Sequence, residues 1–268
     1  MMLRVENLAF GYGRRLVGSG LDFTVEPGEV LCLLGPNGGG KTTLFKTLLG
    51  LLPPLGGRIR LDGAEIARWP RRRLAASLGY VPQAQGAYFP FRVRDVVLMG
   101  RASRLGTFAS PGPPDHAVAE RVLATLEIGH LAERTYTEIS GGERQMVLIA
   151  RALAGEPRIV VMDEPTASLD FGNQARVLGQ IRRLSRAGIA VILSTHDPDH
   201  AFLCADRVAL LHEGSLIALG TPAATITSAT LARIYGVAVA VVPLPGHAHA
   251  VCAPILPDQA ASFGAAGR

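Results

Sequence analysis

A glycine-rich segment near the start of the chain restricts the possible folds more than any other part of the sequence. Residues 35–42 read G-P-N-G-G-G-K-T, and a wholly apolar run, V-L-C-L-L, precedes them at residues 30–34. The apolar run predicts a strand that is buried on both faces, and residues 41–51 predict a helix. Glycines between a strand and a helix let several backbone N–H groups approach a polyphosphate, and the helix N-terminus attracts anions. This order of elements predicts a phosphate-binding loop in an α/β protein.

The side chains of this loop predict how a nucleotide would be held. Lys41 is expected to reach the β- and γ-phosphates, and the Thr42 hydroxyl is expected to bind Mg²⁺. The motif does not distinguish ATP from GTP. The expected nucleotide-binding residues are Gly35, Pro36, Asn37, Gly38, Gly39, Gly40, Lys41, Thr42 and Thr43.

Two adjacent acidic residues follow a second apolar run. Residues 159–164 read I-V-V-M-D-E, which predicts a buried strand with Asp163 and Glu164 at its carboxyl end. Ligands of open α/β sheets bind at that edge. We expect Asp163 to hold Mg²⁺ and Glu164 to polarise the water that attacks the γ-phosphate.

The rest of the pattern agrees with a parallel α/β sheet. Residues 3–27 alternate as strands, residues 90–157 are mostly helical, and a third apolar strand is predicted at residues 190–194. A hairpin is predicted from residues 208–211 and 215–219.

The composition excludes several classes of protein. The 268 residues are 48% hydrophobic, as in a folded domain, and the net charge of +5 is not gathered in a basic block that would indicate nucleic acid. No apolar run reaches the ~18 residues of a membrane-spanning helix, and residues 1–10 do not resemble a signal peptide. The three cysteines match no zinc or redox pattern, and we expect Cys32 to lie in the core. We expect His247 and His249 to be exposed histidines rather than metal ligands.

A third motif makes the prediction specific. Residues 140–145 read S-G-G-E-R-Q and open a predicted helix. They resemble the L-S-G-G-Q signature loop of the ATP-binding-cassette family, with Ile139 and Glu143 as variants. In that family the loop contacts the ATP that the opposite subunit holds. The residues that the resemblance places in this contact with a second copy are Ser140, Gly141 and Gly142, together with Asp170 of the S-L-D segment.

Other family motifs occur in the family order. Tyr12 in F-G-Y-G resembles the aromatic residue that stacks on adenine, and Gln83 in Y-V-P-Q resembles the glutamine that senses Mg²⁺. His196 in S-T-H-D resembles the histidine that contacts the γ-phosphate. The resemblance covers about residues 3–255 and implies an enzyme that hydrolyses ATP with Mg²⁺. The implied catalytic residues are Lys41, Gln83, Glu164 and His196, and the implied Mg²⁺ ligands are Thr42, Gln83 and Asp163.

The resemblance also implies the fold, which is a P-loop NTPase (RecA-like) core with a parallel sheet, an antiparallel β subdomain and an inserted α-helical subdomain. We expect a single ATPase domain at residues 1–255 and a disordered tail at residues 256–268. The expected parts of the domain are the core with the β subdomain at residues 1–88 and 158–222, the helical subdomain at residues 89–157, and a C-terminal extension at residues 223–255.

The segment after Gln83 resembles the corresponding segment of ATP-binding subunits that serve iron-siderophore, haem and cobalamin importers. In those subunits it forms part of the cleft that receives a helix of the membrane subunit. The candidates for this contact, which could equally fill the helical core, are Phe89, Phe91, Val93, Val96 and Met99. The implied partners are two polytopic permease subunits, a second copy of the chain and a periplasmic substrate-binding protein, with no nucleic acid. The implied location is peripheral, on the cytoplasmic face of the bacterial inner membrane.

Three alternatives remain open at this stage. A molybdate or tungstate importer has a similar architecture. A non-transport cassette ATPase of DNA repair, chromosome organisation or translation usually carries a long coiled coil, a zinc insertion or a second cassette, and the sequence contains none of these. A cassette exporter would need its membrane segments on another chain.

Overall fold

The computed structural model describes residues 2–83, 89–106, 109–246 and 249–256. The strands are β1 Leu3–Tyr12, β2 Arg15–Val25, β3 Val30–Leu34, β4 Gly56–Leu61, β5 Ala64–Glu65, β6 Leu78–Val81, β7 Ile159–Met162, β8 Ala190–Thr195, β9 Arg207–His212, β10 Ser215–Gly220, β11 Val239–Pro243 and β12 Ala250–Pro254. The α-helices are α1 Lys41–Leu48, α2 Arg71–Ser77, α3 Val93–Leu98, α4 Pro113–Thr125, α5 Gly141–Ala154, α6 Phe171–Arg186, α7 Pro198–Cys204, α8 Pro222–Thr225 and α9 Ser228–Tyr235. Single 3₁₀ turns occur at Ile66–Arg68, Met99–Ser103 and Gly129–Leu131.

The described residues form a central six-stranded sheet in the order β10-β9-β3-β8-β7-β6. Neighbouring strands from β9 to β6 pair in parallel, and β10 pairs antiparallel with β9. Strands β3, β7 and β8 are buried along their whole length, as the apolar runs predict. Because parallel strands end at the same edge, this order brings together the segments that follow β3, β7 and β8.

The side chains of β3 divide between two hydrophobic cores because successive residues of a strand point to opposite faces. Leu31 and Leu33 pack with α1 and with a four-stranded antiparallel sheet in the order β2-β1-β4-β5. Cys32 packs in the other core, with α6, α7 and the helices α3 to α5. Cys32 is fully buried as predicted, and burial raises the pKa of its thiol well above the usual value. The two sheets and the inserted helices confirm the predicted fold class.

A buried arginine holds the helical part together. Arg101, in the 3₁₀ turn after α3, donates from Nε to Asp115 Oδ1 at 2.8 Å. Its Nη1 group donates to Glu156 Oε2 at 2.8 Å and to the carbonyl of Ala154 at 2.9 Å. These bonds join the turn after α3 to the first turn of α4 and to the end of α5.

The five candidates for contact with a membrane subunit separate into two groups. Val93 and Val96 are buried in the core of the helical part, so they stabilise the fold. Phe89, Phe91 and Met99 are 66%, 46% and 44% exposed. Residues 84–88, which belong to the same sequence motif, lie outside the described residues.

The C-terminal part contains more regular structure than predicted. The strand-like tail is a hairpin of β11 and β12, but the sequence reading did not predict α8 and α9 before it. Helix α1 ends at Leu48 rather than at the predicted Leu51, because the N–H groups of Leu51 and Leu52 turn back to the carbonyl of Lys46. The expected tail lies outside the described residues from residue 257 onward. Within the described ranges, every helix is too short or too polar to span a bilayer.

Candidate nucleotide site

The phosphate loop lies between β3 and α1, and two of its backbone carbonyl groups accept hydrogen bonds from Lys41. Gly40, immediately before α1, has a φ of 96°, which favours glycine, and a Cβ there would also lie close to the side chain of Val17, 3.0 Å from Cγ1. Lys41 is 5% exposed, and its Nζ donates to the carbonyls of Gly35 at 2.7 Å and Pro36 at 3.0 Å. Burial lowers the pKa of Lys41, and the nearby Glu164 carboxylate opposes that shift.

Glu164 is the centre of a cluster of predicted catalytic side chains. Its Oε1 atom lies 3.5 Å from Lys41 Nζ. Its Oε2 atom accepts from Gln83 Nε2 at 3.4 Å and lies 3.4 Å from His196 Nδ1. Glu164 has a φ of 46°, which is uncommon for a residue with a side chain. The structure therefore brings the four predicted catalytic residues together around one carboxylate.

A serine that the sequence reading missed holds both acidic residues. Ser194 is fully buried in β8; its hydroxyl donates to Asp163 Oδ1 at 2.7 Å and accepts from the Glu164 N–H at 3.0 Å. The Asp163 N–H donates to the carbonyl of Val81 at 2.9 Å, which fixes the backbone of the same turn. The sequence signal for Ser194 is a hydroxyl residue that follows four apolar residues of a predicted buried strand. A buried hydroxyl needs hydrogen-bond partners.

A buried histidine contacts both the segment after β7 and the last residue of β8. His200 is 7% exposed, and its Nδ1 atom lies 3.2 Å from Thr166 Oγ1 and 3.3 Å from Thr195 Oγ1. Burial lowers the pKa of His200. The sequence does not single out His200, because its partner Thr166 is 34 positions away in the chain.

A cleft with a volume of about 490 Å³ opens beside the phosphate loop. Tyr12 lines it and is 45% exposed, and a hydrogen bond with Thr43 lowers the pKa of its phenol. Arg15 and Val17, which were not predicted, lie on the same side as Tyr12. The predicted residues that line the cleft are Tyr12, Asn37, Gly38, Gly39, Gly40, Lys41, Thr42, Thr43, Gln83 and Glu164.

The predicted magnesium ligands offer only oxygen donors, which are the donors that Mg²⁺ prefers. They are the hydroxyl of Thr42, the side-chain amide of Gln83 and the carboxylate of Asp163, which is 3% exposed. No group of three or more His, Cys, Asp or Glu residues that could hold a metal occurs in the described ranges. The hydroxyl, amide and carboxylate oxygens therefore match magnesium in the type of donor.

The signature loop begins α5 with a reciprocal pair of hydrogen bonds. The Ser140 hydroxyl accepts from the Glu143 N–H at 3.3 Å, and Glu143 Oε2 accepts from the Ser140 N–H at 2.8 Å. These bonds lower the pKa of Glu143 and form a capping box. The family variant at Glu143 thus has a structural function at the start of the helix.

Asp170 caps the next long helix, α6, and connects it to the signature loop. Its two carboxylate oxygens accept from the N–H and the side-chain amide of Asn173, each at 2.8 Å. A Cβ at Gly142 would lie 2.4 Å from Asn173 Cγ, so only glycine fits against this side chain. Ser140, Gly142 and Asp170 therefore belong to one packed group.

The predicted site residues thus form two groups on one chain. Tyr12, Lys41 and their neighbours surround the phosphate loop, while Ser140 and Asp170 begin α5 and α6. In the part of the chain that the structure describes, Ser140, Gly141, Gly142 and Asp170 line neither the cleft at Tyr12 nor the adjoining cleft at His196.

Comparisons with known proteins identify the family of the chain. A sequence model of the family described as ABC transporter matches residues 19–167. The chain is 45% identical over 235 residues to an uncharacterised ABC transporter ATP-binding protein of Haemophilus influenzae, covering 88% of this chain and 89% of that protein. It is 40% identical over 253 residues to the hemin import ATP-binding protein HmuV of Myxococcus xanthus, covering 92% and 94%.

Two further proteins bear on the kind of transporter. The molybdate import ATP-binding protein MolC of Haemophilus influenzae is 38% identical over 213 residues, with 79% of each chain covered. A solved metal-chelate type ABC transporter in an inward-facing conformation superimposes with a TM-score of 0.84 and 34% identity, covering 96% of this chain and 98% of the matched chain. Together with the phosphate loop, the paired acids and the signature loop, these similarities show that the chain belongs to the ABC transporter family as an ATP-binding domain.

Proposed function

We propose that this chain binds and hydrolyses MgATP and thereby powers an importer of metal chelates. The observation that carries the ATPase proposal is the Glu164 carboxylate, which faces Lys41, Gln83 and His196 at 3.4 to 3.5 Å beside the phosphate loop. Such a cluster can orient a water molecule and stabilise the charge that develops on a transferred phosphoryl group.

Each residue of the cluster has a separate task in this proposal. Glu164 orients and polarises the attacking water, and Lys41 stabilises negative charge on the phosphates. His196 contacts the γ-phosphate, and Gln83 connects the site to the helical part. Bound Mg²⁺, held by Thr42, Gln83 and Asp163, would neutralise phosphate charge.

The second group of residues acts on another copy's nucleotide in this proposal. Ser140, Gly141 and Gly142 lie at the N-terminus of the fourteen-residue helix α5, where the N–H groups of Gly141 and Gly142 and the helix dipole favour a phosphate. Asp170 lies beside them. Two chains arranged face to face would therefore enclose two ATP molecules, each between one chain's phosphate loop and the other chain's signature loop.

Glu164→Gln tests the catalytic proposal because the amide keeps the shape of the carboxylate but is a far weaker base. We expect steady-state phosphate release to fall about 100-fold or more, with ATP affinity retained. Size-exclusion chromatography with MgATP should show a stable dimer of the variant. Glu120→Gln, at an exposed carboxylate on α4, is the matched control and should hydrolyse ATP at the wild-type rate. Wild-type turnover in the Glu164 variant would exclude this residue as the base.

The proposed cargo is a metal chelate such as haem, an iron-siderophore or cobalamin. The named relative that imports hemin and the solved metal-chelate type transporter support this class. We propose two permease subunits and a periplasmic binding protein as partners, with the chain bound peripherally at the cytoplasmic face of the bacterial inner membrane. The exposed side chains of Phe89, Phe91 and Met99 are the proposed contact with the permease. We also propose residues 1–255 as a single domain with the parts given above.

Molybdate or tungstate import is the second candidate, since the molybdate import protein MolC is 38% identical to this chain. The two cargo classes can be separated with the complete transporter, purified with its membrane and binding subunits and reconstituted in vesicles. Haem, a ferric siderophore, cobalamin and molybdate would each be added, and binding to the binding subunit and ATP hydrolysis would be measured. Stimulation by molybdate alone would replace the metal-chelate proposal and leave the ATPase proposal intact.

A further inference from the structure

The segment that contains His196 is tied to the C-terminal part of the chain by two hydrogen bonds. We call residues 195–199, from the last residue of β8 to the second residue of α7, the histidine loop. The Tyr235 hydroxyl donates to the carbonyl of His196 at 2.6 Å. The Cys252 N–H, in β12, donates to Asp199 Oδ1 at 2.8 Å. Two separate elements of the C-terminal part therefore hold this loop, α9 at the backbone carbonyl of His196 and β12 at the side chain of Asp199.

Tyr235 is itself held firmly. It is the last residue of α9, whose start is capped by the Thr227 hydroxyl, which accepts from the Thr230 N–H at 3.2 Å. Leu231 and Ile234 of this helix are buried in the core that contains Cys32, which we call the main core, and the Tyr235 ring packs against it. Burial raises the pKa of Tyr235, so its hydroxyl stays protonated and can donate at neutral pH.

His196 needs such a support more than its neighbours do. Thr195 is buried in β8, and Asp197 caps α7 by accepting from the Asp199 N–H at 2.9 Å. The His196 side chain, in contrast, is 51% exposed and reaches Glu164 at 3.4 Å across the site. The peptide group between His196 and Asp197 sets the direction of this side chain, and the Tyr235 hydroxyl holds the oxygen of that peptide group.

We propose that Tyr235 is a positioning residue for His196, so that the C-terminal extension is part of the hydrolytic machinery. This inference rests on the proposed function, in which His196 acts during hydrolysis. Tyr235 acts through the backbone of the histidine loop and touches neither the phosphate loop nor the cleft at Tyr12. Its loss should therefore change the rate of hydrolysis more than the binding of ATP.

Tyr235→Phe removes the hydroxyl and keeps the packed ring. We expect kcat for ATP hydrolysis to fall about 3- to 10-fold and KM for MgATP to change less than about twofold. These effects correspond to the loss of one hydrogen bond that only positions the His196 side chain. Tyr136→Phe is the matched control, because Tyr136 is also half-buried against the main core but lies in the helical part. Its kcat should equal that of the wild type.

A second measurement separates positioning from general destabilisation. Histidine ring signals would be recorded by NMR in protein labelled at the ring carbons, and the His196 signal assigned with His196→Ala. Tyr235→Phe should shift the His196 signal while the signals of His116 and His130 stay in place. A fall in kcat without this shift would overturn the proposal, and so would an unchanged kcat.

The same set of variants distinguishes failure of the inference from failure of the proposed function. If His196→Ala lowers turnover and Tyr235→Phe does not, the positioning proposal alone is wrong. If His196→Ala hydrolyses ATP at the wild-type rate, the proposed role of His196 is wrong, and the positioning proposal falls with it.

Discussion

Ser194 lies where the end of β7 meets the end of β8, and a single hydroxyl there serves two acidic residues. It donates to Asp163, the proposed magnesium ligand, and accepts from the backbone of Glu164, the proposed base. Because the side chain of Asp163 and the backbone of Glu164 share this one hydroxyl, the serine restricts how far one residue can move relative to the other. Residues that orient ligands in this way affect metal binding nearly as strongly as the ligands do.

Removing the hydroxyl with Ser194→Ala leaves a buried oxygen of Asp163 and a buried N–H of Glu164 without this partner. We expect turnover, or the apparent affinity for Mg²⁺, to fall about 10- to 100-fold while ATP still binds. Phosphate release measured over a magnesium titration checks this expectation. An unchanged magnesium dependence with unchanged turnover would show that the two carboxylates hold their geometry without the serine.

Ser185→Ala is a suitable control for this experiment. Ser185 is also buried and loses one hydrogen bond, from its hydroxyl to the carbonyl of Gly28 at 2.6 Å, but this contact is outside both clefts. We expect a lower melting temperature and unchanged kinetics, which separates the cost of losing a buried hydrogen bond from an effect on the site.

At the scale of single residues, the sequence could predict those that belong to contiguous motifs. Lys41, Glu164 and His196 each lie in a short pattern that follows a buried strand, so their meeting at one sheet edge could be expected. Ser194 lies in the S-T-H-D motif, but its role and that of Tyr235 could not be predicted in this way, because they depend on partners that are 31 and 39 positions away. A hydroxyl's partner is chosen by the tertiary fold, which one sequence does not reveal.

At the scale of helices and strands, the apolar runs were the most reliable guide. Strands β3 and β7 begin and end where predicted, because four or five successive buried side chains leave little choice of boundary. Helix α9 escaped prediction since it is short, and its capping residue, Thr227, lies among other threonines and serines. Short helices owe their stability to packing more than to propensity, so their sequence signal is weak.

The Arg101 cluster gives the helical part a predictable response to pH. The hydrogen bond from Arg101, and then the one from the Gly112 N–H, hold the pKa of Asp115 below its ordinary value. A carboxylate with a depressed pKa in the folded state stabilises the fold fully above its unfolded pKa and loses that effect as pH falls through the folded value.

We therefore expect Asp115→Asn to lower Tm by a few degrees at neutral pH, and this difference from the wild type to stay constant down to about pH 5. The difference should begin to shrink as pH falls through the ordinary aspartate pKa of about 3.9, and it should go on shrinking as pH falls through the lower pKa of Asp115 in the folded protein. Thermal unfolding followed by circular dichroism between these pH values measures it. Glu120→Gln, on the same helix, is the control and should have nearly the Tm of the wild type. A Tm difference for Asp115→Asn that widens in acid would contradict the ion-pair explanation.

At the scale of the whole molecule, the site residues separate into two groups, and in the proposed function a second chain completes each site. In an isologous dimer each copy would supply a phosphate loop to one nucleotide and a signature loop to the other. A defect in Lys41 and a defect in Ser140 therefore damage opposite halves of each composite site.

A mixture of Lys41→Ala with Ser140→Arg tests this arrangement. Each variant alone should be nearly inactive, whereas half of the randomly mixed dimers would contain one intact site, so up to about a quarter of wild-type turnover should return. Mixing Ser140→Arg with the double variant Lys41→Ala/Ser140→Arg restores no intact site and should remain inactive. If both mixtures are equally inactive although native mass spectrometry shows mixed dimers, the exchange of loops between chains is wrong.

The contact between Gly142 and Asn173 has a mechanical consequence for such a dimer. Since Asn173 is held by Asp170 and packs against the start of α5, the tip of the signature loop and the cap of α6 cannot shift independently by much. A neighbouring molecule would meet both at once, as one preassembled surface. Closing such a pair would be a single docking event, and any residue larger than glycine at position 142 would misalign two contacts with one substitution.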